Sequence, residues 1–377
     1  MVDDILCLSD ELTWSKLFAF LQGKLEMTGG GEAKVWNGLE FAYHSDGSLT
    51  VSQSKQISEM LKSLDTGGYE APMADTPEDA TSKEWSSKTM MDPEGLNGDV
   101  TKLFQSILGS LNYLAYKARP DLAHAISRCG QVASAASETN LKALLRCVGY
   151  LKGRPDRPIT FRKGSGINVA VFTDAGHANE DFVAQQNDLG GKSTTGYVVL
   201  INGGAVIWRS KLQTTVADST GYAENIAAYA AVKECAFVQQ LLGEMGIEIG
   251  PIPMFTDATN TCSALLQNSS YRQSNTRHHK LKASALYQHV QEGVVHPICI
   301  SSVENIADVL TKSVMKPKEQ FWQFTSRMFN EHMDFESFIV NLIRKNFYKY
   351  RNDKVPDLDR FVKHWLSSGA VRHESEN

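Results

Sequence analysis

Four acidic residues in the second half of the chain stand where a carboxylate could serve chemistry. Asp174 follows a predicted strand in the run Val-Phe-Thr-Asp, and Asp257 follows another in Met-Phe-Thr-Asp. Glu224 falls in the first turn of a predicted long helix, and Asp308 interrupts a short segment that is otherwise apolar. Dozens of residues separate each acid from the next, so only folding can bring them together.

Carboxylates that converge repel one another, and a divalent cation removes that repulsion. Oxygen ligands without nearby Cys or His favour Mg²⁺ or Mn²⁺ over zinc. Two such ions about 3.5–4 Å apart activate a water molecule and stabilise the leaving oxygen of a phosphodiester. The alternative is structural, because an acid after a strand is often a helix N-cap. Spacing alone leaves both interpretations open.

The elements that must position these acids form a mixed α/β pattern. Alternating residues predict strands ending at Asp174 and on both sides of Asn202-Gly203-Gly204, a strong hairpin turn. A long helix over 224–242 and two further strands, at 252–256 and 294–300, alternate with shorter helices. The predicted order is β-β-β-α-β-α-α-β-α, a mixed five-stranded sheet with helices on its faces.

The rest of the chain divides by composition and period. Residues 1–65 mix short strands and helices, and residues 66–100 are rich in Gly, Pro, Ser and acids, which predicts a linker. Three helices are predicted within 101–157. Residues 317–377 are predicted to form a helical tail, in which 344–351 interleaves basic and aromatic residues. The fold class is therefore α/β (α+β).

Composition excludes several classes of protein. The 377 residues are 42% hydrophobic and 21% charged, which excludes collagen-like, coiled-coil and wholly disordered chains. The net charge of -5 requires that any nucleic-acid contact come from local basic patches. Six widely separated cysteines argue against a disulfide framework. An acidic N-terminus and the lack of a long apolar run predict a cytoplasmic or nuclear protein without a membrane segment.

Several ordered motifs resemble the Pol polyproteins of copia-type retrotransposons. The motifs are 111–114, 119–123 and 149–153, which resemble the region after the reverse transcriptase palm, and 194–198, 208–213, 276–278 and 307–312, which resemble the ribonuclease H domain that follows it. The resemblance implies a palm remnant over 1–65, a thumb and connection over 101–157, and a ribonuclease H-like domain over 158–316. The implied activity is hydrolysis of the RNA strand of RNA·DNA hybrids.

The ribonuclease H domain of this family carries a set of four acids, which match Asp174, Glu224, Asp257 and Asp308. Their implied role is to hold two Mg²⁺ or Mn²⁺ ions. Residues 219–225 depart from the family, because they hold one residue more before the acid than the usual Ser-Thr-Glu-Ala-Glu-Tyr run. A shift of one residue turns a helical side chain by about 100°. We expect the preceding loop to absorb the extra residue, since otherwise Glu224 would miss the ions.

The first residues, Met1-Val2-Asp3-Asp4, resemble the Tyr-Val-Asp-Asp box of reverse transcriptases. By that resemblance Asp3 and Asp4 are a polymerase remnant. The fingers and the first metal-binding Asp of the palm would precede this box, so we expect no primer extension, although family membership alone would suggest an RNA-directed DNA polymerase. A solvated terminal turn is the structural alternative for both acids.

Basic residues near these motifs are candidates for contact with the hybrid. They are Lys117, Arg119, Lys152, Arg209, Lys211 and Arg277. The resemblance also implies a role in product release for His278. Solvated helix faces and a surface or capping histidine are the alternatives. Expected partners are the RNA·DNA hybrid and other retroelement Pol or Gag proteins. The competing hypothesis is a catalytically decayed remnant that binds nucleic acid without cutting it.

Overall fold

A computed structural model describes residues 7, 11–27, 31–79, 98–134, 136–177, 191–267, 277–313, 318–347 and 358–369. Among these residues, no helix combines the length and the apolar character that a bilayer crossing requires.

The N-terminal part holds small helices and short antiparallel strands. In order they are α1 (Glu11–Gln22), β1 (Val35–Trp36), β2 (Leu39–Tyr43), β3 (Leu49–Ser52) and α2 (Ser54–Ser63). The tight turn between β1 and β2 uses Asn37 and Gly38, both with positive φ. On the amphipathic helix α2, Ile57 is fully buried against the helices that follow.

Three helices form the connector. They are α3 (Gly98–Lys117), α4 (Ala123–Gln131), which follows a 3₁₀ turn at Pro120–Leu122, and α5 (Glu138–Gly153). Ser137 caps α5 by accepting a hydrogen bond from the backbone N–H of Asn140, so the helix begins at Glu138. The apolar faces of all three helices share one buried core.

The predicted linker is partly a packed segment. A Cβ atom added to Gly149 of α5 would lie 1.8 Å from the Pro72 carbonyl oxygen, so only glycine allows this approach. Glu78 is 2% exposed, and its carboxylate lies 2.6 Å from His124 and 3.4 Å from Arg128 of α4. Residues 71–79 are therefore held against the connector.

The predicted boundary at residue 158 also differs from the structure. Strand β4 (Ile159–Phe161) follows α5 and pairs with β3, with Thr50 opposite Thr160. It completes a four-stranded antiparallel sheet, β1-β2-β3-β4, with the N-terminal strands. The chain thus returns to the first unit before it enters the second sheet.

The second sheet is the predicted mixed one. Its strands are β5 (Val169–Gly176), β6 (Lys192–Ile201), β7 (Gly204–Val216), β8 (Ile252–Thr256) and β9 (Val295–Cys299). The strand order is β7-β6-β5-β8-β9, with β7, β6 and β5 antiparallel and β5, β8 and β9 parallel. Helices α6 (Thr220–Glu244), α7 (Thr259–Gln267) and α8 (Arg277–Gln291) accompany it, which confirms the predicted ribonuclease H-like architecture.

The predicted tail packs on the second sheet. It forms α9 (Lys318–Phe329), α10 (Phe335–Asn346) and α11 (Leu358–Leu366). Phe324, Ile339 and Trp365 are buried in one core with Phe172 and Phe255 of the sheet. Burial of such large apolar side chains is worth roughly 1.5–3 kcal/mol each, so these helices are part of the folded unit. Residues 348–351 of the basic and aromatic run lie outside the described residues.

Candidate metal centre

Strand pairing brings two of the acids to one edge of the sheet. Strands β5 and β8 are parallel neighbours, with Phe172 opposite Phe255. Asp174 lies two residues beyond Phe172, and Asp257 two residues beyond Phe255. Since neighbouring strands lie about 4.8 Å apart, the two carboxylates reach the same position.

The long helix α6 supplies the third acid. Ser219 caps it by accepting a hydrogen bond from the backbone N–H of Tyr222, so the helix begins at Thr220. Glu224 therefore stands in the second turn, later than predicted, and it is 8% exposed. One carboxylate oxygen from each of Asp174, Glu224 and Asp257 lies within 4.8 Å of the others. The extra residue before Glu224 does not turn its side chain away from the site.

Asp308 stands beside this cluster but is held differently. It lies on a 3₁₀ turn, Ile306–Leu310, and its Oδ1 accepts a hydrogen bond from Lys312 Nζ at 2.8 Å. Within the described parts of the chain, the acids that could share one ion are Asp174, Glu224 and Asp257, and Asp308 is not among them. The structure thus brings three of the four predicted ligands together.

Three further residues support the site. The motif over 307–312 was the only sequence signal for Thr311 and Lys312, and Asn305 lies outside it. Asn305 Nδ2 donates to the Thr173 carbonyl oxygen at 3.0 Å and to Asp257 Oδ1 at 3.1 Å. Thr311 Oγ1 donates to Asp174 Oδ2. Lys312 Nζ lies 3.8 Å from the same Asp174 oxygen. Patterns of charge and period do not reveal these contacts, because each spans more than forty residues.

Burial and mutual repulsion raise the pKa values of Glu224, Asp174 and Asp308 and so favour their neutral forms. Burial raises the pKa of Glu224 well above its usual range, and the charges of Asp174 and Asp257 raise it further. Burial also raises the pKa of Asp174 against the opposing effect of Lys312. Burial, with the charge of Asp174, raises the pKa of Asp308 to about 7. For Lys312 burial acts in the opposite direction, but Asp174 and Asp308 outweigh it and raise the pKa of the ammonium.

The donor set fits a hard divalent cation. Glu224 Oε2 is buried and has no hydrogen-bond partner among the described residues. A buried carboxylate oxygen without a partner is costly. Among the described residues the cluster consists of three carboxylates without a sulfur or imidazole ligand, a donor set that suits Mg²⁺ or Mn²⁺. Asp174, Glu224 and Asp257 therefore form a chemically consistent site for such an ion.

Arg119 is not available to nucleic acid, so this prediction was wrong. The side chain is 1% exposed, and its Nε and Nη2 donate to the two oxygens of Asp121 at 3.0 and 2.8 Å. Arg157 Nη1 donates to Asp121 at 3.2 Å, and the Tyr150 hydroxyl donates to the same Asp121 oxygen. The Arg119 guanidinium therefore forms an ion pair with the buried Asp121 carboxylate, and this pair stabilises the connector.

The other basic candidates differ in exposure. Arg209 and Lys211 are exposed on the edge strand β7. Lys152 is exposed and donates to the Ala71 carbonyl oxygen at 3.2 Å, whereas Lys117 is half-buried with its Nζ 5.8 Å from the centre of the Tyr113 ring.

Four predicted site residues cannot be located by side chain. Helix α8 begins at Arg277, but the side chains of Arg277 and His278 lie outside the described part of the molecule. Asp3 and Asp4 also lie outside the described residues. Their assignments stay predictions.

Several curated sequences resemble the chain, although no protein-family model matches it. The retrovirus-related Pol polyprotein from transposon RE1 of Arabidopsis thaliana is 28% identical over 283 residues, which are 74% of this chain and 18% of that protein. The corresponding protein from transposon TNT 1-94 of Nicotiana tabacum is 30% identical over 320 residues, 84% of this chain and 23% of that protein. The chain thus spans less than a quarter of the length of these relatives.

Ribonucleases H are among the solved structures that match part of the chain. LC11-RNase H1, crystallised in complex with an RNA/DNA hybrid, is 16% identical, with 38% of this chain and 93% of that chain covered and a TM-score of 0.28. We base the fold assignment on strand order and register, since this score is low. By its similarity in sequence, the chain is homologous to part of the Pol polyproteins of copia-type retrotransposons.

Proposed function

We propose that this chain is a ribonuclease H that hydrolyses the RNA strand of RNA·DNA hybrids with Mg²⁺ or Mn²⁺. The observation that carries the proposal is the cluster of Asp174, Glu224 and Asp257, in which one carboxylate oxygen of each lies within 4.8 Å of the others. Its member Glu224 also has a buried oxygen, Oε2, without a hydrogen-bond partner among the described residues. Homology to the Pol polyproteins favours this substrate class over other phosphodiesters.

The three carboxylates would hold the cation near the carboxyl ends of β5 and β8. Divalent ions bound there supply Lewis acidity, which activates water and stabilises the leaving oxygen of the phosphodiester, and full activity would use two of them. The protein's own contribution is to hold Asp174, Glu224 and Asp257 close together despite their repulsion.

Neighbouring side chains fix the orientation of two ligands. The amide of Asn305 ties Asp257 to the backbone of β5 through its two hydrogen bonds. The Thr311 hydroxyl donates to one oxygen of Asp174, which leaves the other free of that bond. Such outer contacts typically change metal affinity by about 10–100-fold. Asn305 and Thr311 are therefore positioning residues for the site.

The hybrid needs a cationic path to the carboxylates. Arg209 and Lys211 lie two residues apart on β7, so they point to the same side of the edge strand. We propose that these two residues contact phosphates, with Lys117, Lys152 and Arg277 as further contacts. Because the binding is electrostatic, it should weaken steeply with salt.

Cleavage of a labelled hybrid tests the proposal. Purified chain is incubated with Mg²⁺ or Mn²⁺ and an RNA·DNA duplex labelled on the RNA strand, with DNA duplex as the second substrate. We expect cuts in the RNA strand only, and loss of cutting in Glu224→Gln. Glu234→Gln is the matched control, since Glu234 lies on the same helix but accepts from the Tyr197 hydroxyl at 3.0 Å. A chain that retains the hybrid without cutting it would support the decayed-remnant hypothesis instead.

A further inference from the structure

The ammonium of Lys312 already occupies part of the proposed metal centre. Its Nζ lies 2.8 Å from Asp308 Oδ1 and 3.8 Å from Asp174 Oδ2. It therefore stands between the fourth acid of the family set and a member of the three-carboxylate cluster. Asp174 and Asp308 are the acids that would hold a second ion at this position.

Charge balance limits what can bind beside Lys312. Four ionised carboxylates carry a charge of -4, which two divalent ions balance without the ammonium. With the ammonium in place, one divalent ion leaves a net charge of -1 and two leave an excess of +1. Like charges a few Å apart cost several kcal/mol at the effective dielectric of a partly buried site. A second divalent ion and Lys312 therefore compete for the same position.

The Lys312 side chain is freer to move than those of Asp174 and Asp308. Its side chain is 43% exposed, whereas those of Asp174 and Asp308 are 2% and 13% exposed. Asp308 sits on a short 3₁₀ turn that Asn305 caps by accepting a hydrogen bond from the Ala307 N–H. Ser313, which follows Lys312 in the chain, accepts a hydrogen bond from Arg128 of the connector. The backbone around Lys312 is thus anchored on both sides, while its long side chain reaches solvent.

We propose that Lys312 is a tethered cation that holds the second metal position. The substrate-free chain then binds one divalent ion, at Asp174, Glu224 and Asp257, and a second ion binds only when Lys312 leaves Asp308. The phosphodiester of a bound hybrid would provide both oxygen ligands for the second ion and another anion for the displaced ammonium. This inference rests on the proposed metal centre.

Counting bound Mn²⁺ ions tests the inference without any cleavage assay. The full chain is titrated with Mn²⁺, and the free ion is measured by electron paramagnetic resonance. Wild type should bind about one ion tightly and Lys312→Met about two. Lys345→Met is the matched control, because Lys345 makes an ion pair of the same 2.8 Å length with Glu304, outside the three-carboxylate cluster. This control should bind as many ions as wild type.

Two further variants separate the charge of Lys312 from its shape. Lys312→Arg keeps the charge and should retain wild-type stoichiometry, whereas Lys312→Gln should gain the second ion and replaces Lys312→Met if that variant does not fold. Adding Asp308→Asn to Lys312→Met or Lys312→Gln should abolish binding of the second ion.

Each contrary result has its own meaning. Two tight ions in wild type, or no gain in the neutral variants, would overturn the role of Lys312 and leave the metal centre intact. If wild type binds no Mn²⁺, the metal centre itself is refuted, and the proposed function and this inference are refuted with it.

Discussion

Replacement of Glu224 by Gln should have opposite effects on stability with and without metal. The Glu224 side chain is 8% exposed. Because glutamate and glutamine are nearly equal in shape, the substitution removes a charge without creating a cavity. The new amide can donate to Asp174 or Asp257. Without divalent ions we therefore expect the variant to be more stable than wild type at alkaline pH.

The magnitude follows from the distances. Two like charges about 4.8 Å apart repel by about 3 kcal/mol at an effective dielectric near 20. Wild type can avoid this cost by protonating Glu224, which costs about 5 kcal/mol at pH 8 but only about 1 kcal/mol at pH 5 for a glutamate of ordinary pKa. We expect a gain of about 3 kcal/mol at pH 8 and less than about 1 kcal/mol at pH 5.

The sign of the pH dependence follows from linkage. The pKa of Glu224 is higher in the folded protein than in the unfolded chain, so the folded state binds more protons. The contribution of Glu224 to wild-type stability is therefore lost as the pH rises from the unfolded pKa toward the folded one. The variant lacks this loss.

Bound metal should reverse the order. A ligand at 100 times its dissociation constant stabilises the folded state by about 2.7 kcal/mol, and wild type should gain this in Mn²⁺ while the variant gains much less. Urea denaturation in EDTA and in Mn²⁺, at pH 5 and pH 8, measures both effects, with Glu234→Gln as control. If Glu224→Gln is less stable than wild type in EDTA at pH 8, the reasoning is refuted. Other groups of the protein would then compensate the charge of Glu224 without a metal ion.

Four other substitutions test the site and the connector. Asp257→Asn should lower hybrid cleavage by about 100-fold or more, measured as initial rate under saturating Mg²⁺, and unchanged rates would exclude this acid as a ligand. Asn305→Ala should weaken Mn²⁺ binding by about 10-fold, measured by titration. Arg119→Ala should lower the free energy of unfolding by about 3–5 kcal/mol, because it leaves the buried Asp121 charge with one cation fewer. Lys152→Ala, at an exposed site, should change it by less than about 0.5 kcal/mol.

The sequence predicted the second sheet well because its signals are local. Alternating residues mark β5, and Asn202-Gly203 closes the hairpin between β6 and β7 with positive φ at both positions. The acids at the ends of β5 and β8 could be expected to meet once those strands were assigned as parallel neighbours. The order of elements therefore followed from period and turn chemistry alone.

Other features depended on contacts that no local pattern encodes. Arg119 looks like a surface cation in sequence, but the fold places it beside Asp121 in a buried network with Tyr150. Strand β4 is too short to reveal its partner, and it pairs across more than one hundred residues with β3. The C-terminal helices looked like a tail because the sequence does not show that the sheet has a second apolar face to cover.

The acids of the metal centre, their residue types and the motifs around them are determined by the sequence. Only the tertiary structure decided that the extra residue before Glu224 leaves its carboxylate in the site, that Asn305 and Thr311 orient its neighbours, and that Lys312 pairs with the fourth acid. The physical reason is that residue types and periods act within one turn or strand, whereas repulsion, desolvation and charge pairing depend on distances that exist only after the strands and helices have packed.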